Sequence, residues 1–292
     1  MRKIVLGIAI AVALLLMAFA FGMCASLFKR GPILGGEIGL VRIGGTIITS
    51  DKALRELEEA RKDSGIKGLL LRIDSPGGAV SASQEIYEEV KRVNAVKPVF
   101  VSMGDVAASG GYYIACGAKK IFANPGTITG SIGVRMEHVN LKDLLTWAKV
   151  GHETLKSGEM KDVGAFDRSL TEKEREFLEG ILGEMHAQFK AVVSGARGIP
   201  ADKIDAIADG RIYTGAKALE LGLVDEIGGE PVALKELAGS LGIKGEPDVK
   251  EFGDDRPWWM KAMAEEVALA VKQAVNSVLS EYRGSGNVRT YY

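Results

Sequence analysis

Two apolar stretches, each running into a glycine-rich turn and then a helical pattern, constrain this chain more than any other feature. The first, Lys67-Gly68-Leu69-Leu70-Leu71-Arg72-Ile73-Asp74, reads as a buried strand that meets the tight turn Ser75-Pro76-Gly77-Gly78. Ser81 and Gln84 follow at capping-box spacing, which predicts a helix. The second strand, Pro98-Val99-Phe100-Val101-Ser102, leads into Met103-Gly104-Asp105-Val106-Ala107-Ala108-Ser109-Gly110-Gly111-Tyr112-Tyr113, with a helix expected through Ile114, Ala115 and Cys116. Strand, turn and helix in succession, twice over, predict a layered α/β fold. In such a fold the backbone N–H of a Gly-Gly turn on one strand can face the residue at the end of the next. That residue is Ser109. Small neighbours leave its hydroxyl open to a peptide backbone. The first N–H groups of the following helix lack intrahelical partners and are suited to an oxyanion forming beside it. A turn built of small residues accounts for the same segment without chemistry. The facing Gly77-Gly78 turn favours an acyl-transfer site.

Three further blocks extend the pattern: Thr129-Gly130-Ser131-Ile132-Gly133, Lys156-Ser157-Gly158-Glu159-Met160-Lys161-Asp162 and Ala208-Asp209-Gly210-Arg211-Ile212-Tyr213-Thr214-Gly215. With Asp74-Ser75-Pro76-Gly77-Gly78 and Ala108-Ser109-Gly110-Gly111-Tyr112-Tyr113, they resemble the signal peptide peptidase A family in its short, single-unit form, from roughly Ile38 to Gly242. The resemblance implies a crotonase/caseinolytic-protease-like spiral of strand-strand-helix units and a Ser-Lys dyad in place of a triad. Carried over by position, Ser109 is the nucleophile, Lys161 the general base and Ser131 the hydroxyl that orients the lysine. Gly78 and Gly110 become the oxyanion-hole donors. The implied activity is that of a serine endopeptidase degrading remnant signal peptides or other apolar, membrane-derived peptides, with neither cofactor nor metal. A related Ser-Lys protease that cleaves stomatin-like membrane proteins is the nearest alternative. A crotonase-like acyl-thioester or scaffold protein without peptidase activity is the alternative from another class. In the long form of the family the serine and lysine come from two halves of a duplicated chain. A short chain is therefore expected to form a homo-oligomeric ring that reproduces the pairing.

The residues themselves set conditions on the lysine. Lys161 must be neutral to accept a proton, and burial is what disfavours the ammonium. The glycine- and charge-rich segment Ser157 to Leu170 has few apolar residues with which to bury itself, so a neighbouring subunit is the expected source of desolvation. Lys156, five positions away and also before a Ser-Gly pair, is the rival base. A triad needs one of three histidines, His138, His152 or His186; His152 and His186 have no evident carboxylate orienter in sequence, which leaves His138, beside Glu137, as the best placed of the three. No His-Glu-x-x-His or clustered Cys/His spacing suggests a metal.

Composition narrows the classes further. With 37 basic and 38 acidic residues the net charge is −1, so no broad basic surface recommends nucleic acid. Cys24 and Cys116 cannot make a disulfide framework. From Ile4 to Phe28 no residue is charged, and 25 helical residues span about 37 Å, enough to cross a bilayer. Residues 1–30 are accordingly expected to be an uncleaved transmembrane anchor. A cleaved signal ending near Ala18-Phe19-Ala20 would have a shorter apolar region. Only the resemblance implies a single-pass protein with its catalytic domain on the extracytoplasmic side, because Arg2 and Lys3 are matched by Lys29 and Arg30. Residues 31–36 read as a linker, 37–245 as the peptidase domain and 246–292 as an amphipathic helix with a flexible tail.

Within the domain, strands are expected at Leu40 to Ile43, Lys120 to Ala123 and around Thr154-Leu155. Helices are expected over Lys52 to Lys62, around Leu141 to Ala148, over Ala201 to Ala208 and over Gly215 to Leu221. Thr171 and Glu174 have capping-box spacing and open a long helix to about Arg197, whose stripe of Phe177, Ile181, Met185, Phe189 and Val192 reads as core or subunit contact. Beyond the domain, Trp258-Trp259-Met260 begins a helical pattern in which neighbour-subunit packing and membrane contact are both open readings.

Overall fold

The computed structural model describes residues 37–253. The expected anchor, the linker and the helix beginning at Trp258 lie outside these residues. Among the described residues no helix is long and apolar enough to cross a membrane.

An eight-stranded sheet organises the domain. Its central strands are β1 (Ile38–Gly44), β2 (Gly68–Ser75) and β3 (Val99–Ala108), paired in parallel in that order. Helix α1 (Asp51–Lys62) crosses from β1 to β2, and α2 (Val80–Asn94) from β2 to β3. These strands read as nearly continuous apolar runs because both faces are covered. Val41, Leu69, Leu71, Ile73, Val99, Val101 and Met103 pack with Leu57 of α1 and Ile86, Val90 and Val93 of α2. Ile38, Leu40, Leu70 and Phe100 point the other way, toward Ala233, Leu237 and Ala238 of the later helix Glu230–Ser240.

β3 is longer than the five residues read as strand, and its far end builds the site. Between Ile73 and Ser75 on β2 the register jumps from Met103 to Ala107. The extra residues around Gly104 are held by Asp74 Oδ1, which accepts the Val106 N–H at 3.1 Å, and by Thr127 Oγ1, which donates to Gly104 O at 2.7 Å. A side chain at Gly104 would collide with Asp74. Such a bulge bends and twists its strand. β3 accordingly changes partner along one edge, pairing β4 (Lys120–Ala123) through Phe100–Ser102 and β5 (Ile128–Gly130) through Val106–Ala108. β4 continues to β7 (Glu226–Ile227), and β5 pairs antiparallel with β6 (Ile212–Thr214).

Helix α3 (Gly110–Ala115) follows β3 directly. The others are α4 (Lys142–Trp147), α5 (Glu172–Arg197), α6 (Ala201–Ile207), α7 (Gly215–Glu220) and α8 (Glu230–Ser240). α5 begins with both halves of the capping box: Glu174 N donates to Thr171 Oγ1 at 3.2 Å and Thr171 N to Glu174 Oε2 at 2.8 Å. The second expected box is absent. α2 starts at Val80 behind Ala79, without a side-chain cap, and Gln84 instead donates to Gln188 at 3.1 Å. There the backbone path out of the Gly77-Gly78 turn fixes the helix start, with Ala79 N donating to Ile47 O and Ser83 N to Ala79 O. The strand expected at Thr154-Leu155 is also absent: the two residues pair with no strand among the described residues, and Leu155 stands in solvent. The sheet continues past Gly245: β8 (Val249–Glu251) pairs with β1 and Phe252 enters the core.

Candidate active site

Ser109 is the one residue between β3 and α3, and its backbone is strained at φ 52°, ψ −121°. Only three non-glycine residues among those described have positive φ, and Ser131, at φ 52°, is another. Both serines line one cleft of about 770 Å³. Strain of this kind persists only where surrounding contacts enforce it, and it concentrates at functional sites. Here the enforcing contacts are backbone bonds. Ser109 N donates to Gly130 O and Ser131 N to Arg211 O, both at 2.9 Å, so the β5–β6 pair holds the two serines on one side of the cleft.

The Gly77-Gly78 turn closes the other side. Gly77 takes φ 95°, and a Cβ there would lie 2.6 Å from Gly110 N and 2.9 Å from Ser109 Cβ. Only glycine permits so close an approach. Ile47 runs alongside the turn, donating its N–H to Gly77 O at 2.9 Å and accepting from Ala79 N at 2.7 Å. That ladder skips Gly78, so neither Gly78 N–H nor Gly110 N–H has an acceptor among the described residues. A Cβ built on Gly110 would lie 3.3 Å from Gly78 N, which puts the two donors side by side beside Ser109. Two free N–H groups at a helix start are suited to a developing oxyanion.

Beside them a narrow recess of about 30 Å³ is lined by Val80, Tyr113, Val134, Met185 and Phe189 with Ser109 and Gly110. The α5 stripe thus contributes Met185 and Phe189 to the site, beyond its packing role. His186 lines the main cleft, but its Nε2 approaches Ala208 O at 2.7 Å and Ile132 O at 3.2 Å. It therefore donates there and ties α5 to the cleft wall. His152 does have a carboxylate partner, Asp167 at 2.9 Å, which sequence spacing did not reveal, yet neither lines the cleft. His138 sits against Arg168 O at 3.3 Å. At the rim Asp209 is forked by Arg211, which lowers its pKa to about 2. Among the described residues no group of His, Cys, Asp and Glu could hold a metal ion.

The structure brings Ser109, Gly78, Gly110 and Ser131 together. It does not bring Lys161 to them within one chain. Lys161 is exposed on a 3₁₀ turn, Glu159–Asp162, and does not line the cleft. Lys156 is committed elsewhere, donating to Asp162 Oδ1 at 2.6 Å and to Glu159 O at 3.0 Å. No side chain among the described residues hydrogen-bonds Ser109 Oγ. The geometry of a single chain thus supplies a strained serine and two aligned donors, but no proton acceptor in contact with the hydroxyl.

The model of peptidase family S49 matches residues 91–244, more than half of the chain. The chain belongs to peptidase family S49. The matched span of this S49 peptidase contains Ser109, Ser131 and Lys161, while the Clp protease model matches residues 46–128, which hold both the Gly77-Gly78 turn and Ser109. Its mixed α/β sheet is consistent with a Clp protease-like domain. A putative protease of Synechocystis is 44% identical over 201 residues, 69% of this chain and 70% of that protein. The putative signal peptide peptidase SppA of Enterococcus faecium is 38% identical over 185 residues, 63% of this chain and 54% of its own length. Protease 4 of Salmonella typhi is 34% identical over 224 residues, 76% of this chain but 35% of its own length. The S49 peptidase thus spans about half, or less, of the last two relatives.

Proposed function

We propose that this S49 peptidase is a membrane-anchored serine endopeptidase working through a Ser109–Lys161 dyad, on remnant signal peptides or other apolar peptides. The observation that carries the reading is Ser109 itself, held at positive φ beside two N–H groups without acceptors. In the first step neutral Lys161 takes the Ser109 proton as Oγ bonds to the scissile carbonyl carbon, and Gly78 and Gly110 donate to the oxyanion. As the C–N bond breaks, the lysine ammonium returns the proton to the leaving amine. Water, deprotonated by the same lysine, then cleaves the acyl-enzyme and releases the acid and Ser109. Ser131, on the same wall of the cleft as Ser109, orients the amine.

Lys161 comes from a neighbouring copy in a ring. Its exposure in the single chain supports this, as do the exposed apolar side chains of the segment that carries it, including Trp147 (81% exposed) and Leu155 (91%). The apolar recess beside Ser109 supports an apolar side chain next to the scissile bond. The change of partner along β3 supports a spiral of strand-strand-helix units. The uncharged run from Ile4 to Phe28 supports the anchor, and the family resemblance alone supports a catalytic domain on the extracytoplasmic side.

A peptidyl phosphonate with an apolar residue next to phosphorus tests the site. Mass spectrometry is expected to find one adduct per chain, on the peptide holding Ser109, with activity lost in proportion. Inactivation with the adduct elsewhere would reject Ser109 as the nucleophile. Cleavage of signal-like peptides in preference to stomatin-like segments is expected in the same preparation.

A further inference from the structure

Lys161 stands on a turn tied to the start of α5 at both ends, and every tie is charged. At the front, Glu159 Oε2 accepts from Lys173 Nζ at 2.8 Å. At the back, Asp162 is held from two sides. Lys156 Nζ donates to its Oδ1 at 2.6 Å, while Arg168 Nη2 lies 3.1 Å from its Oδ2 and donates to its backbone oxygen at 3.3 Å. Arg168 is in turn forked onto Glu174, with Nη1 to Oε2 at 2.7 Å and Nη2 to Oε1 at 2.6 Å. Glu174 cannot drift, because it is the third residue of the α5 capping box and its side chain is only 4% exposed. A line of contacts therefore runs from the first turn of a 26-residue helix to the residue next to Lys161.

We infer that Arg168 is the positioning residue of the catalytic lysine, clamping Asp162 to Glu174 so that the turn presents Lys161 to Ser109 in one place. The inference rests on the dyad proposed above. A lysine side chain has four rotatable carbons, so its amine is well placed only when its backbone is. A guanidinium suits the clamp because one planar group bridges two carboxylates and a carbonyl at once, which an ammonium cannot match in geometry. The charges around the turn are also balanced: Lys156, Arg168 and Lys173 against Glu159, Asp162 and Glu174, with His152 paired to Asp167 on the flanking segments. Removing Arg168 leaves two bases against three acids. The Asp162 and Glu174 carboxylates are then without the cation that bridges them, and the turn loses its hold on α5.

Position and charge separate experimentally in the full-length assembled protein, through peptide hydrolysis with oligomer size and thermal midpoint recorded. Arg168→Gln is expected to lower kcat on the order of 10- to 100-fold, with KM within about twofold. Arg168→Lys, which keeps the charge but not the fork, is expected to recover only part of that kcat. Lys161→Met runs alongside. If it is inactive while Arg168→Gln retains kcat, the positioning role is wrong and the dyad stands. If Lys161→Met keeps its activity, the dyad falls and the inference falls with it. Should Arg168→Gln not fold, Asp162→Asn decides, since it leaves the Arg168–Glu174 fork and the capping box intact. It is expected to lose kcat comparably, and unchanged kcat would overturn the clamp.

Discussion

At the scale of single residues the site depends on absent side chains as much as on present ones. Gly78 has no room for a Cβ, which would run into Ile47 O, and Gly110 has none because of Ser83 Oγ. Either collision would shift an N–H that this mechanism aims at the oxyanion. Gly78→Ala is therefore expected to lower kcat by about 10²- to 10³-fold, the scale of one lost oxyanion donor, with KM changed far less. A loss confined to KM would place Gly78 in substrate binding alone. The two lysines separate by the same reasoning. Lys156 is occupied by Asp162 and Glu159, whereas the Lys161 ammonium has no hydrogen-bond partner among the described residues. Lys161→Met should abolish hydrolysis, and Lys156→Met should only reduce it by loosening the turn. The reverse order would move the base to Lys156.

At the scale of elements, the start of α5 links the fold to pH. Arg168, and after it the Thr171 N–H, hold the Glu174 carboxyl at a pKa of about 2, below the roughly 4.3 of an unfolded glutamate. A depressed folded pKa gives stability that is fully present above the unfolded value and is lost as pH falls through the folded one. Wild type should thus be more stable than Glu174→Gln near neutrality, and the gap should close as pH falls from about 4.3 to about 2. Urea unfolding midpoints across that window check this. A gap that does not change with pH would mean that the charge of Glu174 contributes nothing to the element. This helix start was legible in sequence because a capping box is a local pattern, closed within four residues. Ser81 and Gln84 have the same spacing and the same kinds of residue, but a tertiary constraint, the Ile47 ladder on the Gly77-Gly78 turn, starts α2 at Val80, one residue before Ser81, and leaves it without a side-chain cap.

At the scale of the whole molecule, one chain holds an incomplete constellation, and the proposed ring completes it. Ser109→Ala and Lys161→Met chains, each inactive alone, should regain part of the activity when assembled together, because some interfaces then pair an intact serine with an intact lysine. Verified mixed oligomers as inactive as either parent would require each chain to complete its own site. Replacing Trp147 and Leu155 by polar residues should shift the protein toward smaller assemblies and reduce activity in parallel, which sedimentation and peptide hydrolysis on the same samples would reveal. Activity that survives in a monomer would reject the ring.

The amino-acid order makes legible the strands β1 to β3, the crossing helices, the α5 cap and the glycine-rich turns around Ser109, because each is written in local period and turn chemistry. It also marked Ser131 and Lys161 through blocks of residues whose resemblance carried the roles. Tertiary structure decided what no local pattern encodes. The bulge at Gly104 sends β3 from β4 to β5, and that turn of the sheet sets Ser131 on the same wall of the cleft as Ser109. The same packing takes His186 for backbone carbonyls, brings Met185 and Phe189 to the recess, and draws residues 249–251 into the sheet beside β1. It leaves Thr154 and Leu155 without a strand partner and Lys161 outside the cleft of its own chain. Periodicity reports which face of an element is buried, but which elements meet depends on contacts between residues far apart in the chain, and those are fixed only when the sheet closes.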